Sequence, residues 1–170
     1  MDHHSQAGRL ARAGQLLHEI HNVAMATVNA DGSPHLSPVF MAFDEQLNGY
    51  WSSHPDSQHS QNIVRTGQAF LTVFDSREGH GGLYIEAMAH LLEDRQAKAQ
   101  ALAVLQKLKA ALGRRMGPLS HYTGSGPQRL YQAAPVRLSM SHAHRDHHGV
   151  ITRDARTEVT LADLCSAWLE

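Results

Sequence analysis

Short strand patterns separated by tight turns fill the first half of the chain, and they constrain its fold more than any other feature. Residues 22–29 are small or β-branched, which favours a strand. Residues 29–32 have the composition of a turn, in which Gly32 can adopt a positive φ angle. A second strand pattern covers residues 34–43, where Pro38 favours a strand edge or an interruption.

A second turn pattern follows at residues 44–49 and leads into a short strand at residues 50–53. Two close hairpins in succession predict an antiparallel meander. Further strand patterns occupy residues 69–74 and 83–92.

The chain also carries helical patterns with recognisable ends. Apolar residues recur at helical spacing, with polar capping residues before them or a glycine after them. The predicted helices are residues 5–21 with Ser5 as N-cap, residues 58–65 closed by Gly67, residues 95–112 between Asp94 and Gly113, and a last helix from Thr160 to Trp168.

The last strand pattern lies between the third and fourth helices. Residues 130–141 predict a strand broken by Pro135, followed by a polar turn at residues 142–149 and a short extension at residues 150–152. Close strands with helices set apart predict an α+β fold, with the antiparallel sheet closed as a small barrel. We expect one domain over residues 1–170, as its length also suggests.

The predicted parts of that domain follow the chain in order. They are an N-terminal helix at residues 1–21, a barrel core at residues 22–93, a helix at residues 94–113, and the last strands with the C-terminal helix at residues 130–170.

Charge and composition exclude several classes of partner. Fifteen Lys and Arg against sixteen Asp and Glu leave no basic excess for nucleic acid. No apolar run is long enough to span a membrane, and residues 1–6 lack the pattern of a secretory signal. Cys165 is the single cysteine, so an internal disulfide is excluded. We therefore expect a cytoplasmic protein.

Hydrogen-bond donors are concentrated in residues 51–63, between a strand and a short helix. A helix N-terminus offers free N–H groups and partial positive charge to an anion. Ser52, Ser57, His59 and Asn62 could add side-chain donors. On this chemistry alone, an anion-binding loop and an ordinary solvated turn both remain open.

Three sequence motifs occur in a fixed order along the chain, and the second of them includes this donor-rich segment. The first is ATVNADGSPHLSPVF at residues 26–40, the second is YWSS at residues 50–53 followed by Ser57-x-His59-x-x-Asn62-Ile63, and the third is GLYIEAMA at residues 82–89 after FLTVFD at residues 70–75. In this order and spacing they resemble the pyridoxamine 5′-phosphate oxidase-like family of flavin-binding split β-barrels. The likeness covers residues 23–93, with a weaker echo at residues 135–138 and 153–156.

The resemblance implies a homodimer with one FMN at each of two sites between subunits. It implies hydride or electron transfer through the flavin, with NAD(P)H as the expected electron donor. It also implies roles for individual residues. Ser37, Val39 and Phe40 would line the flavin, Trp51 and Ser52 would lie beside the ring and ribityl phosphate, Ser57, Gln58 and His59 would form the phosphate loop, and Asn62 would follow on the helix.

The chain also departs from the family pattern. Several members carry Arg or Lys where this chain has Ser37, Ala42, Gln58 and His59, and the tryptophan expected near Ser139 is absent. Charge-assisted bonds to a phosphate would therefore depend on His59, so flavin should bind more tightly at mildly acidic pH. These departures favour a general flavin reductase or a flavin-binding stress protein over an authentic vitamin B6 oxidase.

A histidine-rich segment supports a rival hypothesis. His142, His144, His147 and His148 lie close together in sequence, and imidazoles bind zinc, copper, nickel or haem iron. The alternative function is therefore a non-enzymatic haem or metal binding protein, with His142, His144 and His147 as metal ligands. A deazaflavin in place of FMN is a third possibility, because the same barrel accepts it.

Overall fold

The computed structural model describes residues 5–77, 81–148 and 150–169. The helices are α1 (Gln6–Glu19), α2 (Gln58–Thr66), α3 (Arg95–Ala111) and α4 (Leu161–Leu169), with a 3-10 turn at Leu119–Tyr122. The strands are β1 (Asn22–Val28), β2 (Pro34–Phe40), β3 (Ala42–Phe43), β4 (Gly49–Ser53), β5 (Gln68–Val73), β6 (Leu83–Leu91), β7 (Arg129–Arg145) and β8 (Ile151–Val159). The predicted α+β class is confirmed.

The strands form one antiparallel sheet in the order β2-β1-β5-β6-β7-β4-β3, with β8 paired to β7. The predicted meander is wrong, because the β1–β2 and β3–β4 hairpins lie at opposite ends of this order. The strand pattern at residues 34–43 is interrupted at Met41, whose N–H donates to His21 O at 2.9 Å. β2 at one end of this order lies close to β4 near the other end without pairing with it. The gap between these two strands gives the sheet its split-barrel form.

Alternating side chains of these strands fill the barrel. Inward residues of β1, β5 and β6 are buried while their neighbours remain partly exposed, as period-two alternation requires. The largest side chains in this core include Met25, Leu71, Ile85, Trp51 and Tyr131. Trp51 and Tyr131 stack with their ring centroids 5.4 Å apart.

Helices α1 and α4 pack against each other beside the barrel core. Ser5 caps α1 by accepting from Gly8 N at 3.0 Å, as predicted. A Cβ atom at Gly14 would lie 3.0 Å from Ala167 O, so glycine permits this close crossing. His18 stacks on Trp168 with ring centroids 4.0 Å apart. Together these contacts hold the C-terminal helix on the N-terminal one.

Helix α3 covers the outer face of β4 and β7. Asp94 accepts from Ala97 N at 2.8 Å and thereby caps the helix, as its sequence predicts. Leu102 and Leu105 are buried in a second apolar cluster with Tyr50 and Leu130. α3 is the longest of the described helices, and none of these is both long and apolar enough to cross a membrane.

Strand β7 differs from its prediction. Pro135 does not break it, because a one-residue bulge forms beside the proline: Glu86 faces Arg137 and Ala87 faces Pro135, which leaves Val136 of β7 without an opposing residue on β6. The strand runs for 17 residues, so His142 and His144 lie on it rather than in a turn. The predicted extension at residues 150–152 is in fact β8, a nine-residue strand.

Candidate functional site

Polar side chains converge where α2 begins, in the gap between β2 and β4. Ser57 precedes the helix, but its side chain makes no capping hydrogen bond. Its hydroxyl oxygen instead lies 2.9 Å from His54 O and 2.8 Å from Ser60 Oγ. The first-turn N–H groups of α2 are therefore without a side-chain cap from Ser57, and they remain a source of donors for an anion.

The imidazole of His59 joins three chain segments at this point. Its Nε2 lies 2.7 Å from Ser53 Oγ at the end of β4 and 3.2 Å from Ser57 Oγ. Its Nδ1 lies 3.2 Å from Ser37 Oγ on β2, which in turn lies 3.0 Å from His35 Nε2. The structure thus brings together three predicted site residues, Ser37, Ser57 and His59, and adds His35 and Ser53.

The electrostatics of this cluster favour a neutral imidazole. Burial lowers the pKa of His59 below its ordinary value, and the neighbouring His35 lowers this pKa further. The hydrogen-bond partners of His59 among the described residues are serines. The cluster therefore offers hydroxyl and N–H donors, and a positive charge arises only when a histidine takes up a proton.

Asn62 has a different position from that expected of a cofactor ligand. Its side chain is buried and donates to Thr27 Oγ1 and Asn29 Oδ1, both at 3.0 Å. Its Oδ1 accepts from Gln58 Nε2, also at 3.0 Å. These bonds attach α2 to β1, so Asn62 positions the helix and Gln58 is turned toward Asn62.

The structure separates the remaining predicted residues from this cluster. Val39 is buried in the barrel core and Trp51 is fully buried. The side chain of Phe40 lies on the face of β2 opposite to that of Ser37 and Val39. Lys109 Nζ is 5.3 Å and Arg114 Cζ is 5.9 Å from its ring centroid. Roles for these side chains at a cofactor remain predictions.

Alternation along two strands explains which residues sequence reasoning missed. Successive side chains of a strand point to opposite faces. On β4, Ser53 shares the face of the buried Trp51, whereas the predicted Ser52 lies on the other face. On β2, His35 shares the face of Ser37. Strand periodicity applied to both segments would have favoured Ser53 and His35.

The histidine-rich segment does not form the three-ligand site of the metal hypothesis. His142 and His144 lie on one face of β7 with ring centroids 5.0 Å apart. His147 and His148 lie in the following turn, with ring centroids 3.8 Å apart. Across the part of the chain that the structure describes, no group of three His, Cys, Asp or Glu side chains is placed to hold a metal ion.

An apolar patch covers the outer face of the sheet. Leu36 on β2, Val28 on β1 and Met88 on β6 are 66%, 48% and 50% exposed. Strand register places Ala26 between Leu36 and Phe70, so the patch is continuous across β2, β1 and β5. Such a surface on a small domain is typical of a protein–protein interface.

These features define a split-barrel protein with a donor-rich loop at the start of a short helix. The chain belongs to the pyridoxamine 5′-phosphate oxidase family, whose sequence model matches residues 11–142. No curated protein sequence matches the chain.

Solved structures share the same fold. HutZ, the heme storage protein from Vibrio cholerae, is 17% identical over 73% of this chain and 88% of its own, with a TM-score of 0.60. A Clostridium acetobutylicum protein related to general stress protein 26 is 13% identical over 88% and 94% of the two chains, also with a TM-score of 0.60. An F420 reductase is 16% identical over 75% and 95%, with a TM-score of 0.56. At these identities the similarity establishes the fold alone.

Proposed function

We propose that this protein binds FMN and acts as a flavin-dependent oxidoreductase. The observation that carries the proposal is the convergence of Ser37, Ser53, Ser57 and His59 on an α2 N-terminus that Ser57 does not cap. A phosphate monoester requires several donors at one point, and this cluster supplies them. Family membership supports a flavin as the molecule that carries the phosphate.

The chemistry of the cluster fits a phosphate. The hydroxyls of Ser37, Ser53 and Ser57 can each donate one hydrogen bond, and the first-turn N–H groups of α2 add partial positive charge. His59 is the side chain at the centre of these contacts that can gain a full charge. Phosphate binding would therefore favour the protonated imidazole and bring proton uptake with it.

A second copy of the chain would complete the site. The exposed apolar face includes Val28 on β1 and Leu36 on β2, and β2 is also the strand that carries Ser37. Burying this face against another subunit would remove it from water and enclose the gap beside β2. A homodimer is therefore part of the proposal.

FMN, when bound, supplies hydride or electron transfer, and NAD(P)H is the electron donor that we propose. The chain's own residues would bind and orient the cofactor. His59 and the serines would hold its phosphate, while Asn62 fixes the helix that carries His59. Val39 and Trp51 are buried in the barrel core, on the same strand faces as Ser37 and Ser53.

We propose a substrate other than that of a vitamin B6 oxidase. Ser37, Ala42 and Gln58 are uncharged where several family members carry Arg or Lys, and Ser139 and Met140 stand where a tryptophan is expected. The site therefore lacks the cations that would bind the phosphate group of a phosphorylated substrate. A flavin reductase, which needs no second phosphate site, agrees better with these residues.

An absorbance spectrum tests the cofactor directly. Protein incubated with FMN and desalted should retain flavin bands and should then oxidise NAD(P)H. A Soret band in the purified protein would instead support the haem hypothesis, and retention of a deazaflavin but not FMN would support the third. A spectrum without flavin bands at any pH would contradict FMN binding.

Variants of His59 locate the phosphate. His59→Ala should weaken FMN binding about tenfold or more, because it removes a donor and its charge. His59→Lys should tighten binding and reduce its pH dependence to that of the phosphate itself, because lysine stays protonated. The exposed His54 provides the matched control, and His54→Ala should change FMN affinity by less than about twofold. Equal losses in both alanine variants would place the phosphate elsewhere.

A further inference from the structure

The hairpin of β7 and β8 extends beyond the barrel as a two-stranded arm. β6 pairs with β7 as far as Met140 and Ser141 still bonds to Gly82, so among the described residues 142–145 pair with β8 alone. His142 and His144 project from this arm, opposite Ala155 and Arg153. They lie on a different element from the cluster at α2, so this pair is separate from the proposed FMN site.

The ladder holds the two imidazoles on one side of the arm. Residues two apart in a strand share a face, with a rise of about 6.6–6.8 Å between them. The ring centroids of His142 and His144 are only 5.0 Å apart. The two side chains therefore lean toward each other, although both carry the same potential positive charge.

This separation matches two imidazoles bound to one metal ion. A metal–nitrogen bond of about 2.0–2.1 Å places each ring centroid about 3.2 Å from the metal. Two centroids at that radius and 5.0 Å apart subtend an angle of about 100° at the metal. That angle lies between the square-planar value of about 90° and the tetrahedral value of about 109°.

The surroundings leave room for the remaining ligands. His144 is exposed, whereas His142 is half-buried with its Nδ1 inaccessible to solvent, so His142 would bind a metal through Nε2. Water can therefore fill the other coordination positions. Arg153 opposite His144 is a nearby positive charge that lowers affinity for any cation.

We propose that His142 and His144 form a two-imidazole chelate for a divalent transition metal, of the class of Cu²⁺, Ni²⁺ and Zn²⁺. Imidazole nitrogen is a preferred ligand of these ions, whereas Mg²⁺ and Ca²⁺ require oxygen ligands. The pair is held by the strand ladder before the metal arrives, so little ordering accompanies binding.

Titration calorimetry with Ni²⁺ near neutral pH provides the first test. The full chain should bind one Ni²⁺ more tightly than its other histidines do. His144→Ala leaves a single imidazole and should weaken this tight site at least tenfold, whereas His147→Ala with His148→Ala should change it by less than twofold. An unchanged tight site in His144→Ala, or an equal loss in the control, would overturn the proposal.

Two further measurements keep the result independent of folding and of FMN. The Cu²⁺-loaded wild-type protein should show two coordinated imidazole nitrogens by electron paramagnetic resonance, and one fewer in His144→Gln. Mg²⁺ should neither bind nor compete. Ni²⁺ affinity should be the same with and without added FMN. Failure of flavin binding alone would thus leave this site standing, and a single-nitrogen Cu²⁺ signal in wild type would refute it.

Discussion

The amide of Asn62 and the hydroxyl of Thr27 form a buried hydrogen bond of 3.0 Å between α2 and β1. The same Asn62 amide nitrogen reaches Asn29 Oδ1 at 3.0 Å, beside the first turn. Because His59 is on the same short helix, these bonds determine where its imidazole lies relative to Ser37 and Ser53. The geometry of the candidate site therefore depends on an interaction outside it.

Replacing Asn62 should affect both stability and binding. Asn62→Ala leaves Thr27 Oγ1 buried without its partner, and we expect a loss of about 1–3 kcal/mol in the free energy of unfolding. FMN affinity should fall as well, because α2 is less firmly held. Urea unfolding and flavin fluorescence quenching measure the two effects.

The neighbouring Gln61 supplies a matched control. It is exposed on the same helix, and its amide reaches only Asp56 O at 3.3 Å. Gln61→Ala should change stability by less than about 0.5 kcal/mol. Comparable destabilisation by both substitutions would contradict an anchoring role for Asn62.

The half-buried position of His59 predicts a pH dependence of stability. Burial and His35 hold the pKa of folded His59 below its ordinary value, whereas the unfolded chain titrates near the ordinary value of about 6.5. The unfolded state therefore binds more protons as the pH falls through this range. The stability contributed by neutral His59 is present above about pH 6.5 and is lost below it.

Substitution isolates this contribution from those of the other histidines. Between about pH 7.5 and about pH 5.5, the melting temperature of wild type should fall more than that of His59→Gln, which does not titrate. His90→Gln, on the exposed face of β6, should follow the wild-type profile. Parallel profiles for wild type and His59→Gln would show that His59 titrates normally.

The apolar outer face predicts a dimer that one charge can disrupt. Leu36 is 66% exposed on β2, the edge strand of that face, and Leu36→Glu would place a carboxylate in the proposed interface. Light scattering should give twice the 18.7 kDa chain mass for wild type and a mass near 18.7 kDa for this variant. FMN affinity should fall with the loss of the second subunit.

Val150 is the control for this experiment. It is 59% exposed in the turn between β7 and β8, which do not pair with β1 or β2, and Val150→Glu should remain dimeric. A monomeric wild-type protein at micromolar concentration would refute the proposed interface.

The packing of α3 predicts unequal costs for two identical truncations. Leu105 is 1% exposed in the cluster with Tyr50 and Leu130, so Leu105→Ala should destabilise by about 2–5 kcal/mol. Leu112→Ala removes the same atoms from a partly exposed position and should cost less than about 1 kcal/mol. Chemical denaturation of the two variants tests this difference, and similar costs would mean that α3 does not use this face.

Local chemistry was readable from the sequence. Ser5, Asp94 and Thr160 cap the helices that they were predicted to begin, because a cap bonds to an N–H only three residues away. Gly67 ends α2 with a φ of 67°, as its position suggested. Gly32 likewise has a φ of 85° in the first turn.

Strand pairing could not be read in the same way. Pro38 correctly indicated an edge strand, since β2 ends the strand order. However, consecutive hairpins give no information about which strands join them, and β7 from far along the chain pairs with β4. Pro135 predicted a break in β7, but a bulge at the adjacent Val136 lets the strand continue its pairing with β6.

By itself, the sequence determined the helices with their caps, the α+β class and the segment that contains the candidate site, all of which depend on contacts within a few residues. Only the tertiary structure decided that His59 meets Ser37 from 22 residues earlier and Ser53 instead of Ser52. Those contacts depend on strand alternation and on how the barrel closes, and closure is set by burial of the whole core rather than by any local pattern.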